Sequence, residues 1–246
     1  MSPIPRVLST IRAHDVRALL MGGQACVLYG AAEFSRDADF AVLASSDNLD
    51  RLRSALDELR AEVIAVPPFE PRYLAKGHAV HFRCRHPEAE RFRVDVMARM
   101  RGVDPFPVLW ERRTTWELPG GLTIETLSLP DLVASKKTQR DKDWPMLRRL
   151  VEASYAAAFG SPTAEQVDFW LRELRTRALL AEAARRFPEE ARSIAPTRPA
   201  LAAAITGDEA GVVEALAGEE AREREADRRY WEPLRKELER LRHGRE

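Results

Sequence analysis

Cysteine is scarce in this sequence, which has two among its 246 residues, Cys26 and Cys84. Two thiols are too few for a disulfide scaffold, and this favours a protein of the reducing cytoplasm. The N-terminal residues lack the basic and apolar regions of a signal peptide, and no apolar run approaches the roughly 20 residues that a membrane span needs. We therefore expect a cytoplasmic protein with no membrane partner.

The sequence also lacks an excess of charge of either sign, because 39 basic side chains balance 39 acidic ones. A neutral chain does not bind nucleic acids or membranes through its overall charge, so any such contact must be local. Lysine is rare, with five among the 39 basic residues, and Lys136, Lys137 and Lys142 lie within seven positions of each other. This cluster is unusual in a chain that otherwise uses arginine.

The pattern of apolar residues divides the chain into two parts. Residues 1–128 alternate strand-like and helix-like segments, with strands predicted at 16–21, 38–44 and 61–67, a hairpin over 78–98, and a last strand over 120–129. After Ser128, a plausible helix cap, the patterns are helical, and Leu234, Leu238 and Leu241 mark one face of an amphipathic C-terminal helix. We predict an α/β (α+β) catalytic domain with a mixed sheet and flanking helices over 1–128, followed by an all-helical domain over 129–246.

Three aspartates occupy strand positions where an acid needs a partner. Asp37 and Asp39 stand two residues apart at the start of a predicted strand, so both side chains point to one face. Asp95 lies in another strand, and its side chain points to the face opposite that of its apolar neighbours Val94 and Val96. Carboxylates this close together repel each other unless a cation lies between them. Mg²⁺, which prefers oxygen ligands, is the cation that such a set typically holds.

Gly22 and Gly23 stand where a strand ends and a helix begins. Without Cβ atoms they permit a tight turn and a close approach of ligand to backbone, and the start of a helix offers free N–H groups to an anion. The pair therefore predicts a phosphate site. Lys136 and Arg140 are four residues apart, so at helical spacing they would share a face and could bind phosphate together with Lys137 and Lys142.

The glycine pair, thirteen further residues and then Asp37-Ala38-Asp39 resemble the signature of the DNA-polymerase-β-like nucleotidyltransferase superfamily. The segment SLPDLVASKKTQRDKD is similar to the part that follows the catalytic sheet in the abortive-infection-type and minimal nucleotidyltransferase toxins. The resemblance covers about residues 15–150. Glu33 and Ser35 depart from the basic residue and threonine that related sequences often have before the acidic pair, so base and acceptor preference do not carry over.

The resemblance implies transfer of a nucleoside monophosphate from a nucleoside triphosphate, ATP included, to a hydroxyl group. Asp37, Asp39 and Asp95 would be the catalytic residues and would hold two Mg²⁺ ions. Gly22 and Gly23 would bind the nucleotide phosphates, as would the basic group of Lys136, Lys137, Arg140 and Lys142. The resemblance also implies a macromolecular acceptor, either tRNA or protein, and a cognate antitoxin as a further partner.

Several alternatives remain at the level of sequence. The acceptor is instead a small molecule such as an antibiotic, or the chain is a regulatory module that binds nucleotide without turnover. A zinc site is disfavoured, because His81 points away from His78, Cys84 and His86 on a regular strand. Arginines near Asp95 form either a basic rim for an acceptor nucleic acid or an ordinary solvated edge; they are Arg83, Arg85, Arg91, Arg93, Arg99 and Arg101.

Overall fold

Seven strands form one mixed sheet in the computed structural model, which describes residues 3–244. The order of the strands across the sheet is β3-β4-β5-β2-β1-β7-β6. In chain order the strands are β1 (Ala18–Met21), β2 (Asp37–Val42), β3 (Glu62–Val63), β4 (Val80–Arg83), β5 (Arg93–Met97), β6 (Thr114–Leu118) and β7 (Leu122–Thr126). Within the described residues no strand follows β7, as the sequence pattern predicts.

The pairing of the central strands combines both directions. β2 pairs antiparallel with β1 and parallel with β5, and β5 pairs antiparallel with β4. β4 and β5 form the predicted hairpin, joined by a short 3₁₀ turn over Pro87–Ala89. β6 and β7 form a second hairpin that the sequence pattern did not predict. The mixed α/β fold class is therefore confirmed.

Alternate residues of the central strands define two faces of the sheet. Phe40, Phe82 and Val94 are buried on the first face, together with apolar residues of helices α1 (Ile4–Ala13) and α3 (Ser46–Glu58). The intervening positions of β2 and β5 include Asp37, Asp39, Arg93 and Asp95, which point to the opposite face because side chains alternate along a strand. We call this second face, which carries the predicted metal ligands, the acidic face. The core on one face thus fixes which polar side chains meet on the other.

The remaining helices are short, except for the last. Those before Lys136 are α2 (Gly22–Leu28), α4 (Pro71–Lys76), α5 (Phe106–Glu111) and α6 (Leu129–Ser135). The later ones are α7 (Asp143–Ala158), α8 (Ala164–Glu173), α9 (Arg177–Arg186), α10 (Pro188–Ile194), α11 (Pro199–Thr206) and α12 (Glu209–Arg242). No helix among the described residues is long and apolar enough to cross a membrane.

The chain separates into two compact units. The first contains the whole sheet, the chain up to Ser135 except residues 29–31, and the residues of α12 from Arg229 onward. The second contains residues 29–31 and 136–228. The domain boundary at residues 128 and 129 stays a prediction from sequence. In the first unit, Leu234 of α12 is buried as predicted, and Leu238 and Leu241 are half-buried.

A buried arginine organises the helical unit. Arg198 is 6% exposed and donates hydrogen bonds to the backbone oxygens of Leu171 and Leu174. Its guanidinium also pairs with the carboxylate of Glu219. Burial lowers the pKa of Arg198, although the nearby Glu219 acts in the opposite direction. The end of α8, the start of α11 and α12 are therefore joined through one side chain.

Candidate active site

The three aspartates predicted as metal ligands lie together on neighbouring strands of the acidic face. Asp37 and Asp39 are the first and third residues of β2, and Asp95 is the third residue of β5. The parallel register of these strands places Asp39 directly beside Asp95. One oxygen of each carboxylate lies within 4.8 Å of the others. The arrangement has the spacing that a shared cation requires.

Gly22 lies against the second aspartate of this group. Its φ is +64°, a conformation that favours glycine, and a Cβ placed on it would stand 1.8 Å from Oδ2 of Asp39. β1 pairs with β2 so that Met21 is opposite Asp39, which brings the following residue into this contact. Glycine at position 22 is therefore required by the closeness of the carboxylate as well as by the turn.

Gly23 makes room for the loop that precedes β2. A Cβ on Gly23 would stand 2.4 Å from Oγ of Ser35. Ser35 donates a hydrogen bond from that hydroxyl to Oδ1 of Asp37 at 2.9 Å, and its backbone oxygen accepts one from Gln24 at 3.1 Å. The hydroxyl that stands in place of the usual threonine thus orients the first aspartate. The predicted role of Gly22 and Gly23 in binding phosphate stays a prediction.

Asp95 is held by two basic side chains. Arg93 donates to both carboxylate oxygens, with Nε 2.7 Å from Oδ1 and an Nη 2.8 Å from Oδ2. Nδ1 of His81, on the paired strand β4, lies 2.9 Å from Oδ1 of Asp95. Burial acts to raise the pKa of Asp95, but the hydrogen bonds from His81 and Arg93 and their charges outweigh it and lower the pKa. Asp95 is therefore a carboxylate at neutral pH.

The charges of the three aspartates act on Arg93 and on one another. The pKa of Arg93 is raised chiefly by the hydrogen bond to Asp95, and the charges of Asp37 and Asp39 raise it further. Two like charges about 5 Å apart repel by roughly 3 kcal/mol at an effective dielectric constant of 20. Oxygen ligands from carboxylates match the preference of Mg²⁺, and one oxygen of each of the three carboxylates lies within 4.8 Å of the others. The residues present thus fit a divalent metal ion.

A comparison with protein families agrees with this geometry. The model of the family described as nucleotidyl transferase AbiEii toxin, type IV TA system, matches residues 7–138, more than half of the chain. The chain belongs to the AbiEii nucleotidyltransferase toxin family. It is accordingly a nucleotidyltransferase, which confirms the predicted class of enzyme. No curated protein matches the sequence significantly.

The region matched by the AbiEii model ends inside the lysine cluster, so it includes Lys136 and Lys137 but not Arg140 or Lys142. Helix α6 ends at Ser135, and the prediction that Lys136 and Arg140 share a helix face is therefore wrong. Their side chains meet instead at Asp143, with Nζ of Lys136 3.5 Å and Nε of Arg140 2.8 Å from its two oxygens.

Asp143 is the buried acid that Lys136 and Arg140 of this cluster contact. It is 3% exposed and also accepts a hydrogen bond from Thr138 at 2.6 Å. Burial acts to raise its pKa, but the charge of Lys136, the Thr138 hydroxyl and Arg140 together lower it. Lys137 pairs with Glu173 at 2.6 Å, and Lys142 is exposed at the start of α7. Binding of phosphate by these basic residues stays a prediction.

The aspartate of the DLVASK segment has a structural role. Asp131 is 5% exposed and accepts two hydrogen bonds from Arg112, at 2.7 and 2.6 Å. Ser128 caps α6 as predicted, because its Oγ accepts a hydrogen bond from the backbone N–H of Asp131 and donates one to its carboxylate. This contact fixes the start of the helix that leads to the lysine cluster.

The histidines and cysteine weighed as zinc ligands have separate partners. His78 lies 2.8 Å from Glu237, His81 contacts Asp95, and His86 accepts a hydrogen bond from the backbone of Glu88. Within residues 3–244, the group of acidic, histidine and cysteine side chains at metal-binding spacing is the aspartate trio. Each of the three histidines thus contacts a different residue.

The arginines near Asp95 divide into paired and unpaired side chains. Arg93 holds Asp95, Arg85 pairs with Glu62, and Arg99 donates to the backbone oxygen of Ala75. No carboxylate among the described residues forms an ion pair with Arg83 or Arg91. The sequence did not predict that His81 and Arg93 contact Asp95, although their alternate strand positions beside it are visible in the sequence.

Proposed function

We propose that this protein transfers a nucleoside monophosphate from a nucleoside triphosphate to a hydroxyl group of a macromolecular acceptor, tRNA or protein. The observation that supports the proposal most is the convergence of Asp37, Asp39 and Asp95 on one face of the sheet. Three aligned carboxylates have no use in a module that only binds a partner. Membership of the AbiEii family supports the class of reaction, and the closeness of the three carboxylates supports their proposed role.

In the proposed reaction the acceptor oxygen forms a bond to the α-phosphorus, the bond to the β-phosphate breaks, and pyrophosphate leaves. Two Mg²⁺ ions would stabilise the attacking and leaving oxygens. Asp37 and Asp39 would hold them, with Asp37 oriented by Ser35. Asp95 would complete the ligand set and take the proton of the acceptor hydroxyl, held in place by Arg93 and His81.

The basic cluster after α6 is the proposed site for the phosphates of the nucleotide. Lys136 lies inside the segment matched by the family model and is anchored by the buried carboxylate of Asp143. An amine held in this way presents a compact positive charge. Lys137, Arg140 and Lys142 would add charge around it, while Gly22 and Gly23 would admit the phosphates close to the backbone. We further propose that the enzyme acts in the cytoplasm as a toxin with a cognate antitoxin.

The test incubates the protein with each α-phosphate-labelled triphosphate, Mg²⁺ and a mixed pool of bacterial RNA and protein. Label on tRNA or on one protein, lost in the Asp37→Ala/Asp39→Ala variant, is the expected result. Label on an added small molecule instead would move the acceptor to that class. Bound triphosphate with no labelled product would indicate a binding module and contradict the proposal.

The loss of activity must be separated from loss of the fold. Asp37 accepts a hydrogen bond from Ser35 at 2.9 Å, so the alanine variant loses one stabilising contact besides the metal ligands. We expect the double variant to retain a cooperative unfolding transition in metal-free buffer. Loss of that transition would mean that the two carboxylates are needed for the fold, contrary to the role assigned here.

A further inference from the structure

A cavity of about 530 Å³ opens at the edge of the sheet formed by β3, β4 and the turn that leads into β5. It is lined by Ile64, Arg83, Arg85, Glu90 and Arg91. Three guanidinium groups and one carboxylate surround the cavity, on a chain whose total charge is zero. Arg83 and Arg91 do not belong to the metal site, so their charge is unexplained by the proposed chemistry.

Arg83 connects this cavity with the acidic face. It is directly opposite Arg93 in the antiparallel register of β4 and β5, and residues opposite each other point to the same face. Arg93 is two residues before Asp95 along β5. With strands about 4.8 Å apart and a rise of about 3.3 Å per residue, the Cα atoms of Arg83 and Asp95 are about 8 Å apart. One extended ligand can therefore reach both.

One donor of Arg83 has no hydrogen-bond partner within the described residues. Its Nε is buried and has no hydrogen-bond partner there. A buried donor without an acceptor costs about 1 to 3 kcal/mol, so an acceptor atom entering the cavity would be stabilised. The unpaired donor is the feature of this cavity that points to a ligand rather than to a solvated edge.

The other charges around the cavity favour an anion while limiting its affinity. Arg91 is exposed, and its φ of +64° presents the side chain from a turn conformation that arginine rarely adopts. Arg85 is engaged with Glu62, and the carboxylate of Glu90 also lines the cavity. Arg83 and Arg91 are thus the two cations available to a ligand, and Glu90 opposes them.

We propose that this cavity binds a phosphodiester group of an acceptor RNA strand, next to the hydroxyl that receives the nucleotide; the proposal rests on the function proposed above. Guanidinium groups match phosphate through two parallel hydrogen bonds, which lysine cannot form. Ile64 is 39% exposed and gives the cavity an apolar wall against which a ribose or base can pack. This combination fits a nucleotide better than it fits an acidic peptide.

Binding of RNA tests this assignment without requiring catalysis. The probe is a short fluorescent single-stranded oligoribonucleotide, and its anisotropy is followed against the full chain over a series of salt concentrations. Arg83→Gln/Arg91→Gln is compared with Arg51→Gln/Arg53→Gln, which removes the same charge from α3 on the opposite side of the sheet. Arg91→Gln alone and Glu90→Gln, both at exposed positions, provide variants that leave the buried Nε of Arg83 unchanged.

The proposal predicts at least about tenfold weaker binding in the Arg83/Arg91 variant and a salt slope reduced by about 0.7, the value for one phosphate contact on a single strand. Arg91→Gln should weaken binding less, Glu90→Gln should strengthen it, and the α3 control should leave it unchanged. Equal binding by the cavity variant and the α3 control would overturn the assignment. The assignment would also be overturned if inorganic phosphate or pyrophosphate displaced the fluorescent oligoribonucleotide and unlabelled RNA did not.

Transfer assays then separate this proposal from the function on which it rests. If the enzyme labels RNA, the cavity variant should show a higher KM for RNA and an unchanged KM for the triphosphate. If it labels a protein and the cavity variant has wild-type kinetics, the RNA site is refuted while the transferase function stands. Absence of any transfer by the wild type would instead contradict the proposed function, whether or not the oligoribonucleotide binds.

Discussion

Replacing Gly22 with alanine should damage the metal site more than the fold. At a φ of +64° a residue with a Cβ is strained by about 1 to 2 kcal/mol. The new methyl carbon would start 1.8 Å from Oδ2 of Asp39, whereas ordinary contact begins at 3.4 Å. The two atoms must therefore separate by about 1.6 Å, and Asp39 is the group that moves most easily.

A displacement of this size affects catalysis strongly. A misplacement of about 1 Å can reduce the rate of an enzyme by about 10²-fold. We expect Gly22→Ala to lower NMP transfer by at least that factor and to weaken Mg²⁺ binding. Its melting temperature should fall by roughly 2 to 4 °C for each kcal/mol of strain.

Gly102→Ala is the matched control. Gly102 has a φ of +75°, but a Cβ placed on it would meet nothing within 4 Å. It should therefore lose similar stability and retain wild-type transfer. The assay combines thermal unfolding with transfer from α-labelled triphosphate at several Mg²⁺ concentrations. Wild-type transfer and Mg²⁺ dependence in Gly22→Ala would refute the assignment of Asp39 as a ligand packed against Gly22.

Two further predictions concern buried groups outside the metal site. The pKa of Glu237 is lowered, first by its hydrogen bond with the buried His78 and then by Lys76. The ionised carboxylate therefore stabilises the fold fully above the unfolded pKa of about 4.3, and this stabilisation is lost as the pH falls through the lower folded pKa. Urea unfolding should show Glu237→Gln to be less stable than the wild type by about 1 to 3 kcal/mol at neutral pH and by less in acid. Glu232→Gln, at an exposed ion pair, should change the free energy of unfolding little. A difference between Glu237→Gln and the wild type that grows on acidification would contradict this reasoning. Burial raises the pKa of the Cys84 thiol to about 11, so iodoacetamide at about pH 8 should modify it far more slowly in the native protein than in urea, and equal rates would show that the thiol is accessible.

The chemistry of the site was more visible in the sequence than its supporting contacts. The spacing of Asp37 and Asp39 and the alternation around Asp95 predicted three carboxylates on one face, because side chains alternate along strands. Their meeting depends on the parallel pairing of β2 with β5, which comes from the fold family and not from the spacing. The contact between Gly22 and Asp39 likewise required the register of β1.

Other elements escaped prediction for identifiable reasons. β6 lies at the edge of the sheet and has no buried residue, so it lacks the apolar alternation that marks a strand. α1 is a short helix of 10 residues that begins after Pro3, and its buried residues include Val7, Leu8 and Ile11, which lie at helical spacing. Lys136 and Arg140 are four residues apart, which is helical spacing, but α6 ends at Ser135 and both side chains contact Asp143 instead.

The most direct measurement compares parallel reactions with triphosphate labelled at the α-phosphate or at the γ-phosphate. Wild type and the isosteric Asp37→Asn/Asp39→Asn variant are incubated with Mg²⁺ and the RNA and protein pool. We predict that the acceptor receives label from the α-position alone, that pyrophosphate is released in equal amount, and that the variant transfers nothing. Transfer of the γ-label, or full activity of the variant, would contradict nucleotidyl transfer at the aspartate trio.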